Sequence, residues 1–172
     1  MRTRLAVVLM AMTVAAPAFA QAKGEWITDA KSGCRVWTSV AQPDYGISWS
    51  GDCRGGLATG RGVLQWFQAG KELSHTDCEM AEGKIAGRTV VYYTNGNRYE
   101  GEFRDNRYHG HGAVQYANGM RYEGEFRDGL PNGYGTFTGN GATFAGNWNK
   151  GCFSQGDRYI AVVTTLEACG SR

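Results

Sequence analysis

Two histidines near the middle of the chain, His109 and His111, have the spacing of a metal-binding pair. Side chains two residues apart on a β-strand point to the same face, so both imidazoles can reach one cation there. The sequence places no cysteine or carboxylate ligand beside them, and the third histidine, His75, stands alone in a polar stretch. We therefore expect no metal site and no cofactor, and the histidine pair is the candidate to check in the structure.

Pairs of glutamates recur along the chain and are the candidates for acid–base chemistry. Glu100 and Glu102 are flanked by Arg98 and Arg104, and the same arrangement returns 23 residues later. Such alternation of charge is typical of a solvated sheet face, where exposed ion pairs are weak. The sequence also lacks the G-x-S-x-G, phosphate-loop and His-Glu-x-x-His motifs. We expect a protein that is not an enzyme and has no catalytic residues.

The chain has five cysteines, Cys34, Cys53, Cys78, Cys152 and Cys169, and their spacing matches no paired C-x-x-C zinc pattern. In an oxidising compartment such cysteines form disulfides. We expect Cys34 to pair with Cys53 and Cys152 with Cys169, because each bridge would fasten a terminal segment to the neighbouring strands. Cys78 is then expected to be a free, buried thiol.

The first twenty residues have the three parts of a secretory signal peptide. Arg2 and Arg4 precede an apolar run over 5–16, and Ala18-Phe19-Ala20 forms a small-x-small cleavage signal. Cleavage after Ala20 predicts a periplasmic or secreted protein, with a short membrane anchor as the alternative. It removes two of the 18 basic residues and none of the 16 acidic ones, so the mature chain has no net charge. This balance does not favour a nucleic-acid partner.

A five-residue segment repeats at a nearly fixed period. Tyr99-Glu100-Gly101-Glu102-Phe103 returns as Tyr122-Glu123-Gly124-Glu125-Phe126, 23 residues on, and as Phe144-Ala145-Gly146-Asn147-Trp148 after 22 more. An Asn-Gly pair, which favours a tight hairpin turn, precedes each copy at 95–96, 118–119 and 140–141. In the first two copies aromatic residues and glycine alternate with charged residues, which is the period of a strand with one buried face. A fixed period of this length is typical of a repeat architecture.

The repeat positions can be followed across several units. The residues that define the motif are Tyr99, Gly101, Phe103, Gly110, Gly112, Tyr116, Gly119, Tyr122, Gly124, Phe126, Gly133, Gly135, Phe144, Gly146 and Trp148. Two weaker copies lie upstream, and the second of them has Cys78 and Thr89 where the other units have glycine. We divide the chain into a signal peptide (1–20), an N-terminal cover segment (21–46), about five repeats (47–153) and a C-terminal cap (154–172).

The segment Tyr-Glu-Gly-Glu-Phe, followed by His109-Gly110-His111-Gly112 and Tyr116-Ala117-Asn118-Gly119, resembles the MORN repeat (membrane occupation and recognition nexus). The stretches 33–37 and 49–53 also resemble the opening of exported bacterial proteins that carry such repeats. The resemblance implies an all-β fold, an elongated and twisted antiparallel β-meander of tandem hairpins with small caps at both ends. For the family it implies interaction and scaffolding, with membrane-lipid binding proposed for some members, and it implies no reaction.

We therefore predict an exported, non-catalytic module for protein interaction or scaffolding, whose protein partner the sequence does not identify. Self-association through the edges of the sheet fits the same fold. Two alternatives remain open: a peripheral module that binds membrane lipid, and an enzyme of a class that the motifs do not reveal. The aromatic residues of the repeats are expected to form the core, or a binding surface where no second layer covers them.

Overall fold

The computed structural model describes residues 24–39, 42–156 and 158–170, so the predicted signal peptide lies outside the described residues. Nearly all of the regular structure is β. The strands are β1 (Glu25–Thr28), β2 (Arg35–Thr38), β3 (Tyr45–Trp49), β4 (Asp52–Arg54), β5 (Leu57–Gln68), β6 (Lys71–Ala81), β7 (Lys84–Tyr93), β8 (Arg98–Arg104), β9 (Arg107–Gln115), β10 (Arg121–Arg127), β11 (Leu130–Gly139), β12 (Ala142–Trp148), β13 (Cys152–Gln155) and β14 (Arg158–Ala161). A single 3-10 turn spans Glu167–Cys169 within the part of the chain described.

One twelve-stranded sheet contains all strands from β1 to β12. From β5 to β12 each strand pairs antiparallel with the next one in sequence, which is a meander of hairpins. β3 and β4 pair with the long strand β5, and β2 joins β5 in parallel at its start. The all-β meander predicted from the repeat is therefore confirmed.

The turns between strands differ from the expectation that every Asn-Gly pair forms a two-residue hairpin turn. At Asn140 and Gly141 both residues have positive φ, 51° and 73°, as a type I′ turn requires. In the copies at 95–96 and 118–119 only the glycine has positive φ, and the loops are longer. There the Asn95 and Asn118 side chains accept hydrogen bonds from backbone N–H groups two residues on, as asparagine commonly does in turns.

The motif glycines lie opposite one another on successive strands. Gly101 pairs with Gly112, and Gly112 pairs with Gly124 on the next strand. The Tyr99 ring covers this bare backbone, since a Cβ on Gly112 would lie only 2.5 Å from the Tyr99 Oη. That hydroxyl donates to the Glu102 carbonyl oxygen at 3.0 Å. Tyr122 repeats the arrangement one unit later, with its hydroxyl 3.1 Å from the Glu125 carbonyl oxygen. Each of these two units thus builds its core from one tyrosine ring lying on two glycines.

The buried residues form two clusters along the sheet. The N-terminal cluster includes Trp49, Leu64 and Met80, and it is covered by Ile27 and Val36 of the β1–β2 hairpin. The second cluster contains the aromatic residues of the repeats and ends under the β13–β14 hairpin. The buried members of this second cluster are Val91, Tyr99, Val114, Tyr122, Phe126, Phe137, Trp148, Phe153 and Val162. The repeat aromatics are therefore mainly core.

Candidate functional site: an aromatic cleft at the degenerate repeat unit

The degenerate unit lacks the ring that fills the core elsewhere. Thr76 stands 23 residues before Tyr99 and occupies the position of the motif tyrosine, while Cys78 and Thr89 replace the two glycines that such a ring would cover. Cys78 lies opposite Gly62, and Thr89 lies opposite Gly101. The motif tyrosine and the two motif glycines are therefore replaced together. The space above two glycines can hold a tyrosine ring, but side chains at those two positions would fill it.

A cleft of about 660 Å³ opens over this unit, between the two core clusters. Its floor includes Ser74, Thr76, Ile85 and Val91 from β6 and β7. The walls are aromatic: Tyr45, Trp66, Tyr93, Phe103 and Tyr108. The volume lies within the usual range of ligand sites, about 300–1,000 Å³, and the mixture of rings and hydroxyl groups suits binding rather than covalent chemistry.

The walls are held by contacts between the rings. On one side Tyr45 and Trp66 meet edge to face with ring centroids 6.1 Å apart. On the other side Tyr108 stacks on Tyr99 with centroids 3.6 Å apart, and its hydroxyl hydrogen-bonds to that of Tyr93. Burial raises the pKa of both Tyr93 and Tyr108. Both phenols are therefore neutral at physiological pH and serve as hydrogen-bonding groups, not as bases.

One end of the cleft is closed by Asn106, in the turn between β8 and β9. Its side-chain oxygen accepts the Ile85 N–H at 2.5 Å, and its side-chain nitrogen donates to the Trp37 carbonyl oxygen. Beside it the Arg107 Nε donates to the Ser39 Oγ at 3.1 Å. The Asn106 side-chain amide thus ties the end of β2 and the start of β7 to this turn. The backbone φ of Asn106 is 59°, a value that asparagine tolerates better than most residues.

Several charged residues of the repeat strands form ion pairs. Glu100 lies 3.1 Å from Arg88 and 2.7 Å from Arg98, and Arg121 lies 2.5 Å from Glu123. The hydrogen bond and charge of Arg98 lower the pKa of the Glu100 carboxyl. Glu100 therefore stays ionised at neutral pH, and its charge is shared between Arg88 and Arg98.

The second glutamate of each motif holds a bulge in the following strand. Glu102 Oε1 accepts the backbone N–H of His111 at 3.4 Å, and Glu125 Oε1 accepts that of Tyr134 at 3.1 Å. Each of these residues follows a glycine with positive φ, 56° at Gly110 and 117° at Gly133. The carboxylates that were candidates for acid–base chemistry thus have structural partners.

The structure does not assemble a metal site around the histidine pair. The bulge at Gly110 interrupts the alternation between the two residues, so that His109 lies opposite Glu102 on β8 and His111 lies opposite Glu125 on β10. Among the described residues no group of three or more His, Cys, Asp or Glu side chains could hold a metal ion. The Nδ1 of His109 is buried and has no hydrogen-bond partner in the structure.

Four of the cysteines form two disulfides, and the fifth lies in the N-terminal core cluster. Disulfides join Cys34 to Cys53 and Cys152 to Cys169, with Cα–Cα distances of 5.6 and 5.4 Å. Cys78 is a free, buried thiol. Its burial, with the neighbouring Asp77 carboxylate as a smaller cause, raises the pKa of the thiol to about 12. It is therefore protonated and unreactive in the folded protein.

Sequence reasoning missed the cleft, although a signal for it was present. The motif glycines at 101, 112, 124, 135 and 146 lie in the core and pack against rings, and none of them lines the cleft. Of the residues where the degenerate unit departs from the motif, Thr76 lines the cleft. Comparing each unit with the motif and asking where a ring is missing would have identified the position.

The family model of the MORN repeat matches residues 99–121 and 122–142. These two matches cover β8 to β11, the units in which one tyrosine lies on two glycines. No curated protein is significantly similar to the chain. Within the part of the chain that the structure describes, no helix has the length and apolar character needed to cross a membrane.

Proposed function

We propose that this chain, which contains MORN repeats at 99–121 and 122–142, is an exported, non-catalytic module that binds an extended segment of a protein partner in the aromatic cleft. MORN repeats indicate a module for protein interaction or membrane association. The proposal rests on one observation, the open cleft at the unit that lacks its tyrosine. An apolar or aromatic side chain of the partner would occupy the space that the ring of Tyr99 fills in the next unit.

The chemistry of the cleft supports a polypeptide as ligand. Rings of Trp66 and Phe103 offer apolar contact, and the side chains of Ser74, Thr94 and Asn95 offer hydrogen bonds at the floor and rim. A peptide presents this same combination, since its side chains are partly apolar and its backbone carries a donor and an acceptor at nearly every residue. No cluster of like charge lines the cleft, which favours a neutral segment.

Charge pairing favours a protein over a membrane surface. Binding to anionic lipid depends on basic side chains that are free to meet the headgroups. In this protein Lys84 lies 2.7 Å from Asp105, and Arg104 lies 3.6 Å from Asp128. With the ion pairs of Arg88, Arg98 and Arg121, these contacts neutralise part of the positive charge of the described residues. Membrane association is therefore the second candidate.

Two further parts of the proposal concern export and the extent of the repeat array. The two disulfides support an oxidising compartment, such as the periplasm or the outside of the cell. We extend the array beyond the two matched units to about five over 47–153. Trp49 supports this extension, because its ring lies beside Gly62 as that of Tyr99 lies beside Gly112.

The decisive experiment fills the cleft with the missing ring. The triple variant Thr76→Tyr, Cys78→Gly, Thr89→Gly restores the motif in the degenerate unit. We expect this variant to fold, since the same three residue types pack together at Tyr99, Gly101 and Gly112. It should no longer capture the exported proteins that the wild-type chain captures from an extract of its host.

The matched control is the double variant Cys78→Gly, Thr89→Gly, which removes the same two side chains without adding the ring. It should keep the captured proteins, because the cleft stays open. Equal capture by the wild-type chain and the triple variant would refute the cleft as the binding site. Salt-sensitive binding of the wild-type chain to anionic vesicles would instead support the membrane alternative.

A further inference from the structure

The last strand of the large sheet, β12, has an unpaired outer edge. β12 pairs with β11 on one side, and none of the described strands pairs with its other side. The following hairpin, β13–β14, forms its own small sheet and does not extend the large one. It packs over the apolar face instead, where the Phe153 ring lies above Gly146 and the Val163 N–H donates to the Tyr116 hydroxyl at 3.4 Å.

The turn before β12 determines which backbone groups point outward. In a two-residue hairpin the residues flanking the turn exchange hydrogen bonds, and every second pair beyond them does the same. Ala142, Phe144 and Gly146 therefore bond to β11, opposite Gly139, Phe137 and Gly135. The N–H and C=O groups of Thr143, Ala145 and Asn147 point away from the sheet, and all three residues are exposed.

The side chains at this edge differ from those of the inner strands. β8 has Arg98, Glu100 and Glu102 at the positions where β12 has Thr143, Ala145 and Asn147, and β10 repeats the charged pattern. Charged side chains protect an edge strand from pairing, and like charges directly opposite each other destabilise a strand pair. Of the three strands β8, β10 and β12, only the edge strand β12 has no charged side chain.

We propose that the edge of β12 pairs with the same edge of a second copy of this chain, antiparallel and centred on Ala145. In this register the outward groups of Ala145 bond to their equivalents, and Thr143 lies opposite Asn147 of the second copy. If β12 kept the charges of β10, this arrangement would place two glutamates face to face. The alanine at the centre removes that repulsion and allows close approach.

The other end of the sheet favours a closed dimer over a filament. A head-to-tail assembly would need an open edge at the N-terminal end. There the outward N–H of Trp49 on β3 is already bound by the Asp29 carboxylate at 3.2 Å. The neighbouring edge strand β1 has only four residues, and very short edge strands resist pairing. Pairing of β12 with itself uses the one long edge left open among the described strands.

The dimer is independent of ligand binding in the cleft. The cleft is centred on β6 and β7, whereas β12 lies at the far end of the sheet. Variants at the β12 edge therefore report on self-association alone. A failed dimer would leave the cleft proposal intact, and a failed cleft would leave the dimer intact.

The first experiment measures the molar mass of the mature protein by sedimentation velocity at increasing protein concentration. The wild-type chain should form dimers, and Ala145→Glu should raise the dissociation constant by at least about tenfold, because two carboxylates would meet at the centre of the strand pair. The matched control is Thr138→Glu, which adds the same charge to an exposed position of β11 beside Arg121. It should dimerise as the wild-type chain does. A wild-type monomer at all concentrations, or equal dimerisation of the two glutamate variants, would overturn the proposal.

The second experiment tests the register by cross-linking under mild oxidation. In the Ala145→Cys variant the two introduced thiols belong to one hydrogen-bonded pair, whose Cα atoms lie about 5.5 Å apart, a distance that a disulfide spans. In the Thr143→Cys variant the equivalent atoms lie about 13 Å apart along the strands, which is too far. We expect a covalent dimer for position 145 alone. Cross-linking at 143 and not at 145 would refute the pairing, and the wild-type chain, with Cys78 buried, is the control.

Discussion

Replacement of Gly112 by alanine tests how the repeat builds its core. The new Cβ would lie 2.5 Å from the Tyr99 Oη and 2.8 Å from its Cζ, whereas carbon atoms in normal contact are about 3.5–4.0 Å apart. The ring has no room to retreat, because it is fully buried, stacks on Tyr108 with centroids 3.6 Å apart and donates its hydroxyl hydrogen to Glu102. We expect the free energy of unfolding to fall by about 1–3 kcal/mol, the usual effect of an overpacked core.

The assay is urea denaturation followed by tryptophan fluorescence, with both disulfides intact. The matched control is Gly46→Ala on β3, where φ is ordinary and the nearest atom to the new Cβ is the Phe67 Cβ at 4.0 Å. This change should stay within about 0.5 kcal/mol of the wild-type value. In a Tyr99→Phe background the effect of Gly112→Ala should shrink, because the closest atom is gone. Equal losses for the two alanine variants would refute the idea that the ring requires bare backbone.

Three further predictions concern single groups. Cys78 should react with iodoacetamide only after unfolding, since burial raises its thiol pKa to about 12; rapid labelling of the native protein, detected by mass spectrometry, would contradict this. Burial opposes ionisation of Asp29, but hydrogen bonds from Ser32 and from backbone N–H groups outweigh it and lower its pKa below 3.8. The ionised Asp29 carboxylate therefore stabilises the protein at neutral pH, and this contribution is lost as the pH falls through the lowered pKa. Asp29→Asn should destabilise the protein at neutral pH and less in acid. Denaturation of both chains at the two pH values measures this difference. Asn106→Gly keeps the positive φ but removes the side-chain amide, so the free energy of unfolding should fall by about 1–3 kcal/mol. Hydrogen exchange at the Ile85 backbone N–H should become faster. Unchanged exchange at Ile85 would show that the Asn106 side chain does not hold this end of the cleft.

The periodic part of the fold could be predicted from the sequence because its causes are local. Alternation of Tyr99, Gly101 and Phe103 with charged residues specifies a strand with one buried face, and repetition of the segment specifies many strands of the same kind. A ring can cover glycines only on its own strand or the next one, so the pairing of Gly101 with Gly112 follows from short-range geometry. The terminal segments carry no such period, so the partners with which their strands pair could not be predicted.

The candidate site was harder to predict because it depends on what is missing. Thr76, Cys78 and Thr89 looked like a weakened copy of the motif, and nothing in a linear pattern says whether a missing ring is replaced by another side chain or leaves a cleft. The answer required the positions of Trp66, from an earlier strand, and Tyr108, from a later one. These residues meet only after the sheet has formed.

By itself the sequence determined the strand period, the direction of each buried face and the spacing of the repeat, since these depend on neighbours within a few residues. The tertiary structure alone decided which groups meet over long distances. It brought the Asn106 amide to Trp37, 69 residues away, folded the β13–β14 hairpin onto the apolar face and left β12 at an open edge. The physical reason is that such contacts depend on the packing of complete strands. The same local pattern can produce a filled core or a cleft, and it can leave an edge strand covered or free.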